Sequence, residues 1–234
     1  LLPWNGVTVK ILGFDTTSKY LSVAIADGGN ILASVHEDVG IKHSTLLLPK
    51  IEELLKEQNL SVKEIDVIAI SIGPGSFTGL RIGVAIAKAL ALSCNIKIVA
   101  VPTMDLIAYN YIDKCDVLVP LLDARKNMIY YCIYKKQKEE LVPQTEYVLG
   151  DINDLEKEIG TKKTVVFGDG VKLYGELLKQ KCHNISLIQD DNWFPLAENV
   201  VKLGYQKAVK EEFDDADKLV PLYLHPSDCH IRRS

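Results

Sequence analysis

The sequence predicts an α/β protein of two similar lobes, and three observations carry the prediction. An unbroken apolar run, Val67 to Ile72, enters the glycine turn Gly73-Pro74-Gly75-Ser76-Phe77-Thr78-Gly79, and a long helical segment follows from Leu80 to about Cys94. A run that short and that apolar fits a strand buried on both faces. Earlier in the chain, an apolar strand ends in Asp15 and turns through Thr16-Thr17-Ser18 into a second strand. The same order, apolar strand, Asp, tight polar turn, second strand, recurs around Asp123.

Taken in order, residues 9–14, 20–26 and 31–37 read as strands, with Asp27-Gly28-Gly29-Asn30 as hairpin turn chemistry. A helix is predicted from His43 to about Glu57, with Pro49 tolerated in about its first turn. Ser61-Val62-Lys63-Glu64 reads as a short capped turn. After the central helix come a strand at 97–101 and a helix start at Pro102-Thr103. The second lobe offers strands at 117–122, 128–134 and 164–167, the turn Gly168-Asp169-Gly170, a helix over 171–180 and a last helix near 195–210. Residues 10–104 and 105–234 are the expected lobes, the last helix being free to pack back on the first. Residues 1–9 read as a leader, disordered or vector-derived.

The central loop matches no standard nucleotide motif. A Walker loop fails because Thr78 stands where its second Gly belongs and no Lys follows. A nucleophile elbow fails because Pro74 and Thr78 flank Ser76, and a dinucleotide fingerprint fails because Gly79 comes one residue late. Two readings stay open: a phosphate- or backbone-approach loop at a helix N-terminus, or a tight turn that needs its glycines.

The two long helices are unusually apolar. At about 100° per residue, Arg81 and Lys88 share one narrow strip of the central helix, and nearly every other direction is Ala, Leu, Ile or Val. The His43 helix spreads Leu47, Leu48, Ile51, Leu54 and Leu55 over about 120°. Each therefore needs cover on more than one side, from its own chain or from a partner.

Composition bounds the rest. Among 234 residues, 47% are hydrophobic and 25% charged, enough for a substantial core. A net charge of −4 gives no broad basic field to draw in nucleic acid, so if RNA is involved another molecule supplies most of the positive surface. Five cysteines without a Cys-x-x-Cys pair point to a reducing compartment, and the chain reads as cytoplasmic with no membrane segment: the central helix is counted too short, and Arg81 and Lys88 interrupt it.

Two Asp-ended hairpins in two lobes describe the actin-like, Hsp70-like ATPase (ASKHA, ribonuclease H-like) fold. Within it, the loop Gly73 to Gly83 resembles the signature of the TsaB (YeaZ) family. Asp15-Thr16-Thr17-Ser18, His43 to Pro49, Val101-Pro102-Thr103, Asp123-Ala124-Arg125 and Pro221 to Pro226 support it in family order, over about Lys10 to Pro226. That family belongs to the wider glycoprotease (peptidase M22-like) group. The resemblance implies a non-catalytic partner of the TsaD-like subunit that transfers threonylcarbamoyl to the adenosine beside the tRNA anticodon, together with a TsaE-like ATPase. It implies pairing of the first two helices with the TsaD-like subunit, and with a second copy when alone. His43, Leu47, Lys50, Ile51, Leu54, Arg81, Ala85, Lys88 and Leu92 are the residues expected there.

The actin-like resemblance also sets Asp15, Thr16, Thr17, Ser18, Asp123, Gly168 and Gly170 near nucleotide phosphates. No cofactor is firmly implied; weak ATP or ADP binding, or a nucleotide shared at the partner interface, is the one expectation left. The catalytic paralogue's His-x-x-x-His metal pair is His43-x-x-x-Leu47 here, so no metal site and no catalytic residue are expected. Ser76 has no recognisable His/Asp pair, which disfavours a peptidase. The alternative reading is an actin-like ATPase or phosphotransferase acting on its own.

Overall fold

The computed structural model describes residues 8–190 and 192–224. The chain forms two compact units. The first runs to Leu106 and resumes at Phe194–Pro221; the second is Ile107–Trp193 and continues from Leu222. The last helix returns to the first unit for the reason given below.

In the first unit, β1 (Lys10–Asp15), β2 (Tyr20–Asp27) and β3 (Asn30–Asp38) form an antiparallel meander. Helix α1 (His43–Glu57) leads through a 3₁₀ turn at Val62–Glu64 into β4 (Val67–Ser71), α2 (Phe77–Cys94), β5 (Lys97–Val101) and α3 (Thr103–Tyr109). The sheet order is β3-β2-β1-β4-β5, with β4 parallel to both β1 and β5. Because β1, β2 and β4 are covered on both faces, their sequences are almost continuously apolar rather than alternating. One face of the sheet carries Leu12, Phe14, Leu21 and Val23 against α1 and α2 residues such as Leu47, Ile51 and Val84.

In the second unit, β6 (Val117–Arg125), β7 (Met128–Tyr131), β8 (Tyr134–Gln137), β9 (Glu140–Pro143) and β10 (Val148–Gly150) precede α4 (Ile152–Ile159), β11 (Thr164–Phe167), α5 (Gly170–Lys181) and β12 (Ile185–Leu187). The main path is β10-β7-β6-β11-β12, with antiparallel pairs on one side of β6 and parallel pairs on the other. That repeats the first sheet strand for strand, so the chain carries two copies of one topology. The expected strand at 128–134 is broken at Cys132-Ile133, after which β8 pairs with the start of β6 instead of β7. Helix α4 sits in a sequence with its own start signal, since Asp151 and Asp154 form a reciprocal capping box.

The last helix, α6 (Ala197–Ala208), packs on the first sheet's other face, where Ala197, Val200, Val201 and Ala208 meet Ile11, Ala24, Ala69 and Val99. Gly204 makes this possible: a Cβ there would lie 2.6 Å from that of Ala69. The segment after α6 then covers the β5 edge, with the Asp214 carboxylate accepting from Ala100 N–H at 2.7 Å and Leu219 buried in the core.

Two details differ from the sequence reading. Pro49 lies in the second turn of α1, on its exposed side. Helix α2 is 18 residues long and, by length and composition, apolar enough to cross a membrane. Its two ends continue into β4 and β5, neighbours in one sheet, so it is the crossover helix of a β–α–β unit.

Candidate functional site

The β1–β2 turn and the glycine loop meet at the N-terminus of α2. Asp15 ends β1 and is fully buried. Its Oδ1 accepts from Thr17 N–H at 3.1 Å, and its Oδ2 accepts from Thr17 Oγ1 at 2.9 Å and from Ser71 Oγ. Burial pushes the carboxyl up to about 6, while the hydrogen bonds from Ser71 and Thr17 pull the other way.

The turn is pressed onto the loop. Ser76 N–H donates to Thr17 O at 2.7 Å, and Thr16 Oγ1 donates to Gly79 O at 2.8 Å. A Cβ on Gly75 would lie 2.7 Å from Thr17 O; one on Gly79 would collide with Thr16 O, and one on Gly83 with Thr16 Oγ1. Thr16 and Thr17 are buried with Asp15, and Ser18 is half-buried. The glycines of this loop thus admit the protein's own backbone. Thr103 fixes the loop from behind: its hydroxyl accepts from Gly73 N–H at 3.0 Å, and its N–H donates to Gly73 O at 2.8 Å. The peptide between Gly73 and Pro74 is cis.

Helix α2 begins at Phe77, three residues earlier than the periodicity suggested, because Ser76 caps it by accepting from Gly79 N–H at 3.2 Å. Phe77, Thr78 and Gly79 are therefore helical. Their helix buries Gly79, Leu80, Gly83, Val84, Ala87 and Ala91. On the opposite arc Thr78, Arg81, Ala85 and Ala89 are exposed, and Phe77 and Leu92 are 51% and 55% exposed. The Arg81 guanidinium lies 3.7 Å from the centre of the Phe77 ring.

The other residues expected on a partner face divide differently. Leu47, Ile51 and Leu54 are buried in the first unit's own core, and His43 is buried with Nε2 3.1 Å from Tyr20 O. These four face inward because α1 lays that side on β2. Lys50 pairs with Glu37 and Glu53. Lys88 Nζ donates to Asp217 O and Leu219 O at 3.0 and 3.1 Å, pinning the segment after α6 beside α2. Arg81, Ala85 and Leu92 are the exposed members of the predicted set.

In the second unit, Asp123 sits near the end of β6. Its Oδ1 accepts from Arg125 N–H at 2.9 Å, its Oδ2 lies 3.3 Å from Arg125 Nη1, and its own N–H donates to Asp169 Oδ1 at 2.9 Å. Burial, reinforced by the charge of Asp123, raises the Asp169 carboxyl, with backbone hydrogen bonds opposing. Gly168 has a φ of 113°, and a Cβ there would strike Leu121 O; a Cβ on Gly170 would lie 2.9 Å from the same oxygen. These glycines also serve close packing of a turn on a strand.

Among the described residues, no three His, Cys, Asp or Glu side chains gather as metal ligands. His36 is stacked on Tyr20 with ring centres 4.4 Å apart, and His183 is exposed. His225 and Pro226, part of the Pro221–Pro226 motif, and His230 lie outside the described residues. Sequence reasoning missed Ser71 and gave Thr103, named in the Val101-Pro102-Thr103 motif, no role at the loop, although their places at the C-terminal end of β4 and just after β5 are where such folds position loop residues.

Two sheets of the same mixed order, each with an Asp-ended hairpin on its first strand, define a two-lobed protein of the actin-like, ribonuclease H-like class. The family model for "TsaD: tRNA N6-adenosine threonylcarbamoyltransferase" matches residues 33–191. The chain is 27% identical to the tRNA threonylcarbamoyladenosine biosynthesis protein TsaB of Bacillus subtilis (strain 168), over 96% of this chain and 97% of that one. It is 26% identical to TsaB of Escherichia coli (strain K12), over 92% and 94%. The solved structure of YeaZ from Pseudomonas aeruginosa superposes with a TM-score of 0.80 at 25% identity, covering 92% of this chain and all of that one. The chain belongs to the TsaD family, and these relatives set it among the TsaB (YeaZ) proteins.

Proposed function

We propose that the chain acts in forming threonylcarbamoyladenosine on tRNA as a non-catalytic subunit, docking through the exposed face of α2 on a TsaD-like catalytic subunit. The observation that carries this reading is the burial of Asp15. Its oxygens are satisfied by Ser71 and Thr17, and its turn is filled by the glycine loop, so a nucleotide-bound metal has no exposed acid to meet there. The same junction anchors the start of a helix whose outer arc exposes Phe77, Ala85, Ala89 and Leu92 beside Thr78 and Arg81, and exposed apolar residues rimmed by polar ones have the character of a partner surface.

The names of the curated relatives support the pathway, and the family match supports a paralogous partner. In this reading a second copy competes for the α2 face when the chain is alone, a TsaE-like ATPase joins the complex, tRNA is met through the complex, and the site of action is the cytoplasm. An autonomous ATPase or phosphotransferase is the weaker reading, since Asp15 would have to leave its buried hydrogen bonds to act.

Light scattering on the chain alone and mixed with a TsaD-like subunit tests the proposal. A 1:1 complex is expected, with tRNA modification only in the mixture. Ala85→Glu should weaken the complex by at least about 30-fold, roughly 2 kcal/mol, and leave a soluble, folded chain. ATP hydrolysis by the chain alone, lost in Asp15→Ala, would reverse the assignment.

A further inference from the structure

We propose that the seam between β3 and the first turn of α6 is a proton-operated latch, in which charging the His36 imidazole loosens that turn from the sheet. Ala33 and Val35 of β3 pack with the core beneath α1 and α2, so the pleat turns His36 to the other face, where α6 lies. Its ring stacks on Tyr20, which also meets the Phe194 ring at 4.5 Å just before α6. At this seam His36 Nδ1 and Glu198 Oε2 are both buried without a hydrogen-bond partner. Buried polar atoms are nearly always satisfied, so two such atoms on adjoining elements mark a place where the packing is held against a cost. The device belongs to the first unit and does not rest on α2 as a docking face.

The cost rises when His36 takes a proton. Burial holds the imidazole below its ordinary value, and the Glu198 carboxylate pulls the other way with less effect. The other charged or titratable groups around the ring are engaged elsewhere or face water. Lys19 on β2 lies 4.9 Å from the Tyr20 ring centre and pairs with Asp38 at 2.7 Å. Glu37 pairs with Lys50 of α1, His43 reaches the Tyr20 carbonyl, and Lys202, one turn along α6, is exposed. Strand β3 is held along its length, being paired with β2 from Tyr20–Asp38 to Asp27–Asn30. The helix turn is held by less. Leu196 at its N-cap offers no side-chain acceptor; Ala197 N–H donates instead to Ser22 Oγ at 2.8 Å, and Asn199 Nδ2 donates to Leu106 O at 3.3 Å. A charged His36 is therefore relieved by opening this turn to water. Because the folded value is the lower one, the attachment is complete above about pH 6.5 and is lost as pH falls through the folded value.

Asp15 titrates with the opposite sign, so the test needs a residue-level readout rather than global stability. Hydrogen exchange of the full chain from about pH 7.5 to 5, corrected for intrinsic rates, supplies it. Protection of the Ala197, Asn199 and Val200 amides should fall at least about threefold, while that of β1 and β4 does not fall. His36→Gln, which cannot take the charge, should abolish the fall; Glu198→Gln, which removes the counter-charge, should steepen it. The His36 ring resonances should titrate below about 6.5 in the wild-type chain, a reading that needs no variant. Protection that rises on acidification overturns the proposal, because Glu198 would then be closing the seam on the charged ring. So does a fall that survives in His36→Gln, or a ring that titrates above about 6.5.

Discussion

Asp15 and Asp123 hold the same topological position in their two units, near the end of the first strand where the chain turns into the second. Asp15 is sealed, with three donors on its two oxygens and the glycine loop packed over the turn. Asp123 keeps a side chain that is 10% exposed and shares it with Arg125, whose own side chain is 87% exposed. Duplication of a fold therefore preserved the strand order and the acid but not its environment. In the first unit the acid has become part of the packing that sets the start of α2; in the second it organises a surface turn in which Arg125, Lys126 and Asn127 all have positive φ. The environment separates the two roles, since the residue type is the same.

The comparison can be broken most severely at Gly79. Gly79→Val drives a branched side chain into the Thr16 carbonyl, and we expect a loss of more than about 3 kcal/mol, seen as a lower urea midpoint or failure to fold. A midpoint within error of wild type would mean that the turn is not held against α2 as described. Gly168→Ala should also destabilise, by about 1–3 kcal/mol, because it combines a positive φ with a collision at Leu121 O.

The acids themselves should differ more sharply than the glycines. The folded carboxyl of Asp15 titrates near 6, above its unfolded value of about 3.9, so the native state binds its proton more tightly. Its stabilising contribution is complete below about pH 4 and is lost as pH rises through about 6, a difference on the order of 3 kcal/mol by neutral pH. Urea titrations at about pH 4.5 and 7.5 should show Asp15→Asn flattening that slope; an unchanged slope would remove Asp15 as its source. Asp123→Asn should leave it in place. Smallest of all, Arg125→Ala should cost between 0 and about 1 kcal/mol, since its guanidinium is solvated, and moderate salt should erase the difference.

Much of the fold was legible because its signals are local. Strand burial in a parallel sheet writes itself as continuous apolar sequence in Val67–Ser71, and Gly28-Gly29 marks the hairpin between β2 and β3. The hairpin of β8 and β9 was hidden because its residues Lys135 to Glu140 are all polar or charged and give no alternation to read. At the candidate site the loop's glycines were conspicuous, but their purpose was not. A glycine that admits a phosphate and one that admits a carbonyl look the same in one dimension.

What the sequence determined by itself was the order of elements, the repeated Asp-ended hairpin, the helix following the glycine loop and the excess of apolar surface on two helices. Only the tertiary structure decided where that surface goes. Helical periodicity gives the angle between residues and not the direction of the sheet, so Leu47, Ile51 and Leu54 read as candidates for a partner until β2 covers them. Lys88 reads as a member of the partner face, and only the structure shows that a segment 129 residues away supplies its acceptors. Asp15 reads as a turn acid near phosphates, and only the structure shows that Ser71, 56 residues on, donates to its carboxylate. Each outcome depends on contacts between distant parts of the chain, which follow from packing the whole molecule and leave no mark in the local pattern.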